Sequence, residues 1–332
     1  MDRSRARLLV LSDRPDTVFG HVARELAAAA SRVFDVDLRS ADRASPPDWE
    51  GYDLIHFCCW WDDACDLVLA NRERVILHVG SLDREEARPR AALEAGRLSL
   101  RDGLRWDGIQ GIGLDPLLAE RAAGAGMVLA AGADLLAALR QRGRRVRRLD
   151  MGVDPAVFHP AGRPASQMKA GGTKGGEMKI GIVSGRGSRA LAGTWPGASL
   201  LEPEADVIAR RDFFRAHEVV VAVDDDFRSR LCLVEAMACG AFVIAGRHAA
   251  DLLANGVSGL VVANDPDEIG AGLRWISGDA QAIADGAAIA AQEAMVGFNW
   301  GIVGDAYVGM LWEHLCRLQD RRRAERRASR AA

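Results

Sequence analysis

Short apolar runs alternate with helical periods along the first half of the chain. RLLVLSD (7–13) is an apolar run ending in a turn, the pattern of a strand buried on both faces of a parallel sheet. HVARELAAAASRVF (21–34) is Ala-rich with helical spacing, and FDVDL after it reads as a strand. YDLIHFCC (52–59) and RVILHVG (74–80) predict two more strands, and a helical pattern covers about 84–98. GMVLAAG (126–132) and ADLLAALRQRG (133–143) repeat the strand-then-helix rhythm, closed by Gly143. Residues 161–177, AGRPASQMKAGGTKGGE, break it and read as a linker. A glycine-rich phosphate loop there would need a helix after it, and a strand follows instead, MKIGIVS (178–184). The second half then restarts. GRGSRALAGTWPGAS is loop-like, DFFRAH ends a helix, and VVVAV is a strand. SRLCLVEAMACG predicts a helix stopped by Gly240, AFVIA and GVSGLVV two strands, and PDEIGAGLRWISG a helix. Alternation of this kind predicts an α/β protein with parallel sheets covered by helices on both faces. Two such halves predict a cleft, with ligands outside the carboxyl ends of the strands.

Composition narrows the classes. A chain of 332 residues fits about two domains, and 49% hydrophobic residues exclude a disordered chain. A formal net charge of -3 excludes a dedicated nucleic-acid binder, which needs a cationic excess. No apolar run reaches membrane-span length, and the N-terminal run is too short for a signal peptide, so the expected location is cytoplasmic. The six cysteines form no CxxC pair, which predicts neither a zinc site nor a disulfide framework but reduced, buried thiols. Lysine is confined to Lys169, Lys174 and Lys179, so an anion site elsewhere must use arginine or backbone N–H groups. The last 16 residues carry seven arginines against Asp320 and Glu325. They read as a solvated helix end able to adsorb to anionic lipid, with no apolar face to insert.

Chemistry concentrates in VVVAVDDDFRSRLCLVEAMACGAFVIA (219–245). A strand, a polar turn and a helix start make an anion site, because the helix N-terminus presents N–H groups and positive dipole. Ser229 is the expected N-cap. Arg228 and Arg230 beside it could clamp a diphosphate bidentately, and Glu235 one turn in could accept from ribose hydroxyls. The plainer alternative is a surface helix with Arg–Asp pairing and an outward Glu. Asp224 and Asp226 could hold Mg²⁺ or Mn²⁺, but two arginines at the helix start can neutralise a diphosphate alone, so no metal is expected.

This block also carries a resemblance. LVEAMACGAFVIA followed by DLLANGVSGLVVANDPDEI resembles the donor-binding half of GT-B glycosyltransferases, closest to glycosyltransferase family 4. DMGVDPAVFHP (150–160) resembles the family's interdomain signature, and FNWGIVGDAYVGMLWEHL (298–315) resembles its C-terminal helices. The resemblance implies a GT-B fold of two Rossmann-like domains facing each other across a cleft. It divides the chain into an acceptor domain over 1–155, the linker 161–177, a nucleotide-sugar domain over 178–297, returning helices over 298–316 and a basic tail over 317–332. It implies a retaining, metal-independent transfer from a nucleotide-diphosphate sugar to an unidentified acceptor hydroxyl, with no cofactor.

Residue by residue, Glu235 matches the family Glu that holds the donor ribose. The amides near Leu231 and Cys232 match its diphosphate contacts, and Arg186 matches the basic residue after the second domain's first strand. Where the family has a second Glu stands Phe227, with Asp226 adjacent as its substitute. The expected lysine is absent and Arg189 is the nearest cation. Gly20 is the one glycine placed for close approach to the leaving phosphate. For the family's first-domain His, His78 and His56 are the two candidates, with Gly80 at the strictly aligned position. Two alternatives stay open: a nucleotide-sugar epimerase or hydrolase on the same fold, and a catalytically degenerate binding or scaffold protein.

Overall fold

The computed structural model describes residues 5–15, 17–40, 49–59, 73–80, 116–141, 145–160, 178–185, 191, 195, 197–202, 205–224 and 226–331. The helical pattern near 84–98 and the linker over 161–177 lie outside them. By its contacts the chain divides into two units, Met1–Arg148 with Gly309–Ala332, and Leu149–Val308.

The first unit holds a six-stranded sheet: β1 (Arg7–Ser12), β2 (Asp35–Ser40), β3 (Leu54–Phe57), β4 (Val75–Val79), β5 (Met127–Ala130) and β6 (Val146–Arg148). Their order is β2-β1-β3-β4-β5-β6, and every pairing is parallel. Pleating sends alternate residues to opposite faces. Leu9, Leu11, Ile55, Phe57, Leu77 and Val128 face one core with α2 (Pro116–Gly124) and α3 (Ala133–Arg140). The other face includes Leu8, Val10, His56, Ile76 and His78, one register step away.

Helix α1 spans Val18–Ala30, three residues earlier at its start than the apolar period suggests. Thr17 is the reason: its hydroxyl accepts from the Gly20 amide at 3.0 Å, satisfying a first-turn donor. Gly20 therefore lies inside the first helical turn. A Cβ there would sit 2.0 Å from the Arg14 carbonyl oxygen, so its smallness admits the chain's own preceding loop.

The second unit holds β7 (Ile180–Val183), β8 (Ser199–Leu201), β9 (Val219–Ala222), β10 (Phe242–Gly246) and β11 (Gly259–Val262), in the order β11-β10-β9-β7-β8, again all parallel. Its two faces carry separate cores. Val220, Ala222, Val243 and Ala245 pack with α5 (Phe227–Ala238) and α7 (Ala280–Gly297). Val219, Val221, Phe242 and Ile244 pack with α6 (Pro266–Ser277). Helix α4 (Val207–Ala216) is capped by Asp206, whose carboxylate accepts from the Ala209 amide at 2.8 Å.

The 150–160 signature and the 298–300 segment pack together within this unit. Val153 donates to the Phe298 carbonyl at 2.7 Å, and Trp300 returns a bond to the Val153 carbonyl at 3.1 Å. Gly152 lets them close, because a Cβ there would lie 2.4 Å from the Trp300 indole.

Helix α8 runs unbroken over Trp300–Ala331. The helix therefore continues through position 316, where the basic tail was expected to begin. Its arginine-rich end is stabilised by Arg321–Glu325 at 3.1 Å and Arg323–Asp320 at 3.3 Å, with cations favoured at the negative dipole end. Among the described residues no helix is long and apolar enough to cross a membrane.

Candidate active site

Strand β9 leads into α5 at the carboxyl edge of the second sheet. The helix begins at Phe227, two residues before the expected N-cap, because Asp226 takes that role. Its carboxylate accepts from the Ser229 amide, and its carbonyl accepts from Arg230 at 3.3 Å. Ser229 is thus the third helical residue, corrected from cap. The shift also moves Leu231 and Cys232 to the fifth and sixth positions. An α-helix leaves only its first four amides without an internal carbonyl. The Leu231 and Cys232 amides therefore have intrahelical carbonyls, those of Phe227 and Arg228, which differs from the diphosphate contact the resemblance implies. Ahead of them, the Ser229 amide is held by the Asp226 carboxylate and the Arg230 amide by the Asp226 carbonyl.

Burial pushes the Asp226 carboxyl up to about 6, with the Ser229 hydrogen bonds and Arg228 opposing and Asp224 adding to the rise. Asp226 serves its own helix, which differs from the donor-sugar contact expected of it. Asp224 follows β9 with its side chain packed on Gly185, where a Cβ would lie 2.1 Å from its Oδ2. Asn264 Nδ2 lies 3.5 Å from Asp224 Oδ1.

The two arginines expected at the diphosphate have protein partners. Arg228 donates to the Ser184 carbonyl at 2.7 Å and the Glu202 carbonyl at 2.8 Å, tying together the segments that follow β7 and β8. Arg230 donates to the His248 carbonyl at 2.5 Å and to Asp251 at 3.0 and 3.3 Å, with Asp150 at 3.8 Å. Both guanidiniums are structural ties in this arrangement, which departs from a pair of free clamps.

Glu235 is 1% exposed, and both its oxygens accept from Arg210 at 2.7 Å. Burial raises its pKa and Arg210 opposes that rise. The bidentate geometry is that of a charged pair. Arg210 on α4 was not anticipated; nothing in VIARRDFFRA distinguishes it from the surface Arg211 beside it. Gly240 ends α5 as its spacing implies, with φ +74°.

In the first unit, His56, His78 and Gly80 are all buried at or beside the carboxyl ends of β3 and β4. Burial lowers His78 to about 4, and burial followed by His78 lowers His56 well below the ordinary range. Both are neutral near pH 7. With 0–1% of their surface exposed, neither ring edge is presented to solvent. Arg186 and Arg189 lie outside the described residues.

Among the described residues, a group of side chains with metal-ligand chemistry is formed by His56, Cys58 and His78. It contains no CxxC spacing, which is why the linear pattern missed it.

Residues 195–279 match the family described as glycosyl transferases group 1. No curated protein matches the chain. Sucrose-phosphate synthase from Thermosynechococcus elongatus is 16% identical, covering 95% of this chain and 100% of that one, with a TM-score of 0.66. Anabaena HepE in complex with UDP and glucose is also 16% identical, covering 93% and 100%, at 0.63. The catalytic domain of Starch Synthase IV from Arabidopsis thaliana, bound to ADP and acarbose, is 10% identical, covering 94% and 100%, at 0.59. At such identities the likeness of structure establishes the fold. Two all-parallel α/β units with these neighbours make that fold GT-B, and within it residues 195–279 resemble glycosyl transferases group 1.

Proposed function

We propose that the chain moves a sugar, with retention of anomeric configuration and without a metal at the diphosphate, from a nucleotide-diphosphate sugar to an acceptor hydroxyl. The observation that carries this reading is the β9–Asp226–α5 junction. A helix dipole opens at the carboxyl edge of a parallel sheet, within the segment that matches group 1. The HepE relative is described with UDP and glucose, and the starch synthase with ADP, so UDP- and ADP-sugars are the first donors to examine.

In this reading the first-turn backbone of α5 faces the departing diphosphate, and Arg186 or Arg189 supplies the cation. Stabilising charge on the leaving group is the largest expected contribution to rate. Metal independence is supported by Asp226, whose carboxylate is spent on its own helix, leaving no free Asp224–Asp226 pair for Mg²⁺. A donor phosphate oxygen takes the acceptor proton as the glycosidic bond forms. That assignment fits the burial of His56 and His78, whose rings do not reach solvent. Glu235 acts on the donor side through the helix that its pair with Arg210 anchors. The basic end of α8 is the part suited to an anionic membrane surface in the cytoplasm, by charge alone.

The test is a thermal-shift panel of UDP-, ADP-, GDP- and dTDP-sugars on the full chain, followed by product analysis with the donor that binds. A donor at 100 times its Kd should add about 2.7 kcal/mol to stability. Absence of a shift with every donor would refute the reading. A shift with sugar altered but not transferred would instead identify an epimerase or hydrolase.

A further inference from the structure

We propose that His56, Cys58 and His78 form a binding site for one soft or borderline divalent cation, zinc(II) foremost. The site lies wholly within the first unit and stands independently of the transferase reading.

Strand geometry assembles it. His56 is on β3 and Cys58 lies two residues on, so pleating directs both to the same face. Strand β4 pairs with β3 in parallel with His56 opposite Ile76, which brings His78 to that same face two residues along. The outcome is three ligand atoms within 4.8 Å of one another, with Cys58 Sγ 4.0 Å from His56 Nδ1. The two imidazole rings lie 5.8 Å apart between centroids, with 23° between their planes. Tetrahedral zinc with ordinary Zn–N and Zn–S bonds holds its ligand atoms roughly 3.3–3.7 Å apart. Closing the cluster therefore takes about 1 Å of side-chain movement, within reach of small χ rotations.

The donor set selects the metal. Two imidazoles and a thiolate suit zinc, cobalt or copper and disfavour magnesium or calcium, which require oxygen ligands. The protonation states support this. Both histidines are held neutral by burial, the form in which imidazole ligates a metal. The Cys58 thiol is pushed upward by burial and by Asp13, so a cation must displace its proton. Binding then forms the sulfur–metal bond, breaks S–H and releases one proton to solvent. A dication with one thiolate leaves one uncompensated positive charge in a buried place. Asp13, just beyond β1 and half-buried, is near enough to oppose Cys58 ionisation, so its negative charge offsets part of the cation's from outside the three-ligand group. Its Oδ1 accepts from the Thr17 hydroxyl at 2.6 Å.

The experiment is a cobalt(II) titration of the chelator-treated full-length chain, with zinc competition and pH recording. One equivalent of cobalt should produce a thiolate-to-metal charge-transfer band and the intense visible bands of four-coordinate cobalt. Zinc should abolish both, and about one proton should be released per metal. Cys58→Ser should lose the charge-transfer band, Cys316→Ser should keep it, and His78→Gln should weaken cobalt affinity at least tenfold. If a variant does not fold, the wild-type titration alone decides. A wild-type chain that shows no thiolate band at one equivalent overturns the proposal, leaving His56 and His78 as core histidines. A band that survives in folded Cys58→Ser overturns it as well.

Discussion

The Arg210–Glu235 pair makes the most exposed commitment of the structure. Their side chains are 8% and 1% exposed, and two bonds of 2.7 Å join them. Little solvent screens the pair, so the cost of breaking it is that of abandoning a buried charge. Arg210→Met removes the partner and retains most of the volume. The Glu235 carboxylate is then left inside a core of Leu233, Val234 and Met237, and must ionise there or take up a proton. Breaking such a pair from one side costs about 3–5 kcal/mol. Spread over the second unit, that loss corresponds to a fall in Tm of roughly 6–20 °C. Glu235→Leu strands the guanidinium instead, with the Ala205 carbonyl at 3.2 Å as a remaining acceptor. The double variant Arg210→Met/Glu235→Leu removes both charges and should recover to within about 2 kcal/mol of wild type, since apolar replacement of a buried pair is often neutral. Equilibrium urea unfolding of all four proteins closes the cycle. Strict additivity, or an Arg210→Met loss below about 1 kcal/mol, would refute the buried-pair account. The same cycle guards against misreading a Glu235 variant that lacks transferase activity because it has lost its fold.

Two further outcomes follow from the same region. Asp226→Ala should cost about 1 kcal/mol by deleting the cap, whereas Asp226→Asn keeps the acceptor without the desolvated charge and should match or exceed wild type at pH 7. Because Asp226 is raised to about 6, the folded chain holds a proton that the unfolded chain releases near pH 4. Its contribution is therefore present in acid and is lost as pH rises from about 4 through 6, and Asp226→Asn should remove that dependence. Equal melting points for the Ala and Asn variants would count against the cap. His248 acts in the opposite sense. Burial, then Arg230, lowers it to about 3, so the unfolded imidazole binds a proton that the folded one refuses. Stability from this group is present above about pH 6.5 and drains away as pH falls toward 3. His248→Leu should flatten the acid limb of a urea-midpoint profile, and parallel profiles for both proteins would dismiss the assignment.

Much of the fold was legible because buried parallel strands are short apolar runs whatever they pack against. RLLVLSD, RVILHVG and VVVAV each became a strand within a residue or two of expectation. Gly240 was legible as a helix stop because only glycine adopts its positive φ cheaply. The edge strand at Ser199–Leu201 was not foreseen: three residues carry no periodicity, and their pairing with β7 exists only in the assembled sheet. The Ala-rich helix over 280–297 went unread for a related reason. Alanine favours helix but marks no face, and its packing on α5 supplies the missing direction.

The site divides in the same way. Sequence alone determined where charge and the helix start would gather, since DDDFRSR after an apolar run leaves few alternatives. Tertiary structure decided what each group does there. Asp226 outcompeted Ser229 for the cap because its carboxylate reaches the third amide, and that three-residue shift withdrew Leu231 and Cys232 from the anion end. Arg210 reached Glu235 across 25 positions, and Asp251 reached Arg230 across 21. His78 met His56 and Cys58 only through the pairing of two strands. Local propensity and polarity are properties of neighbouring residues along the chain. The partner of a buried charge is set by which distant side chain the packed interior brings within hydrogen-bond reach, and no linear spacing encodes that.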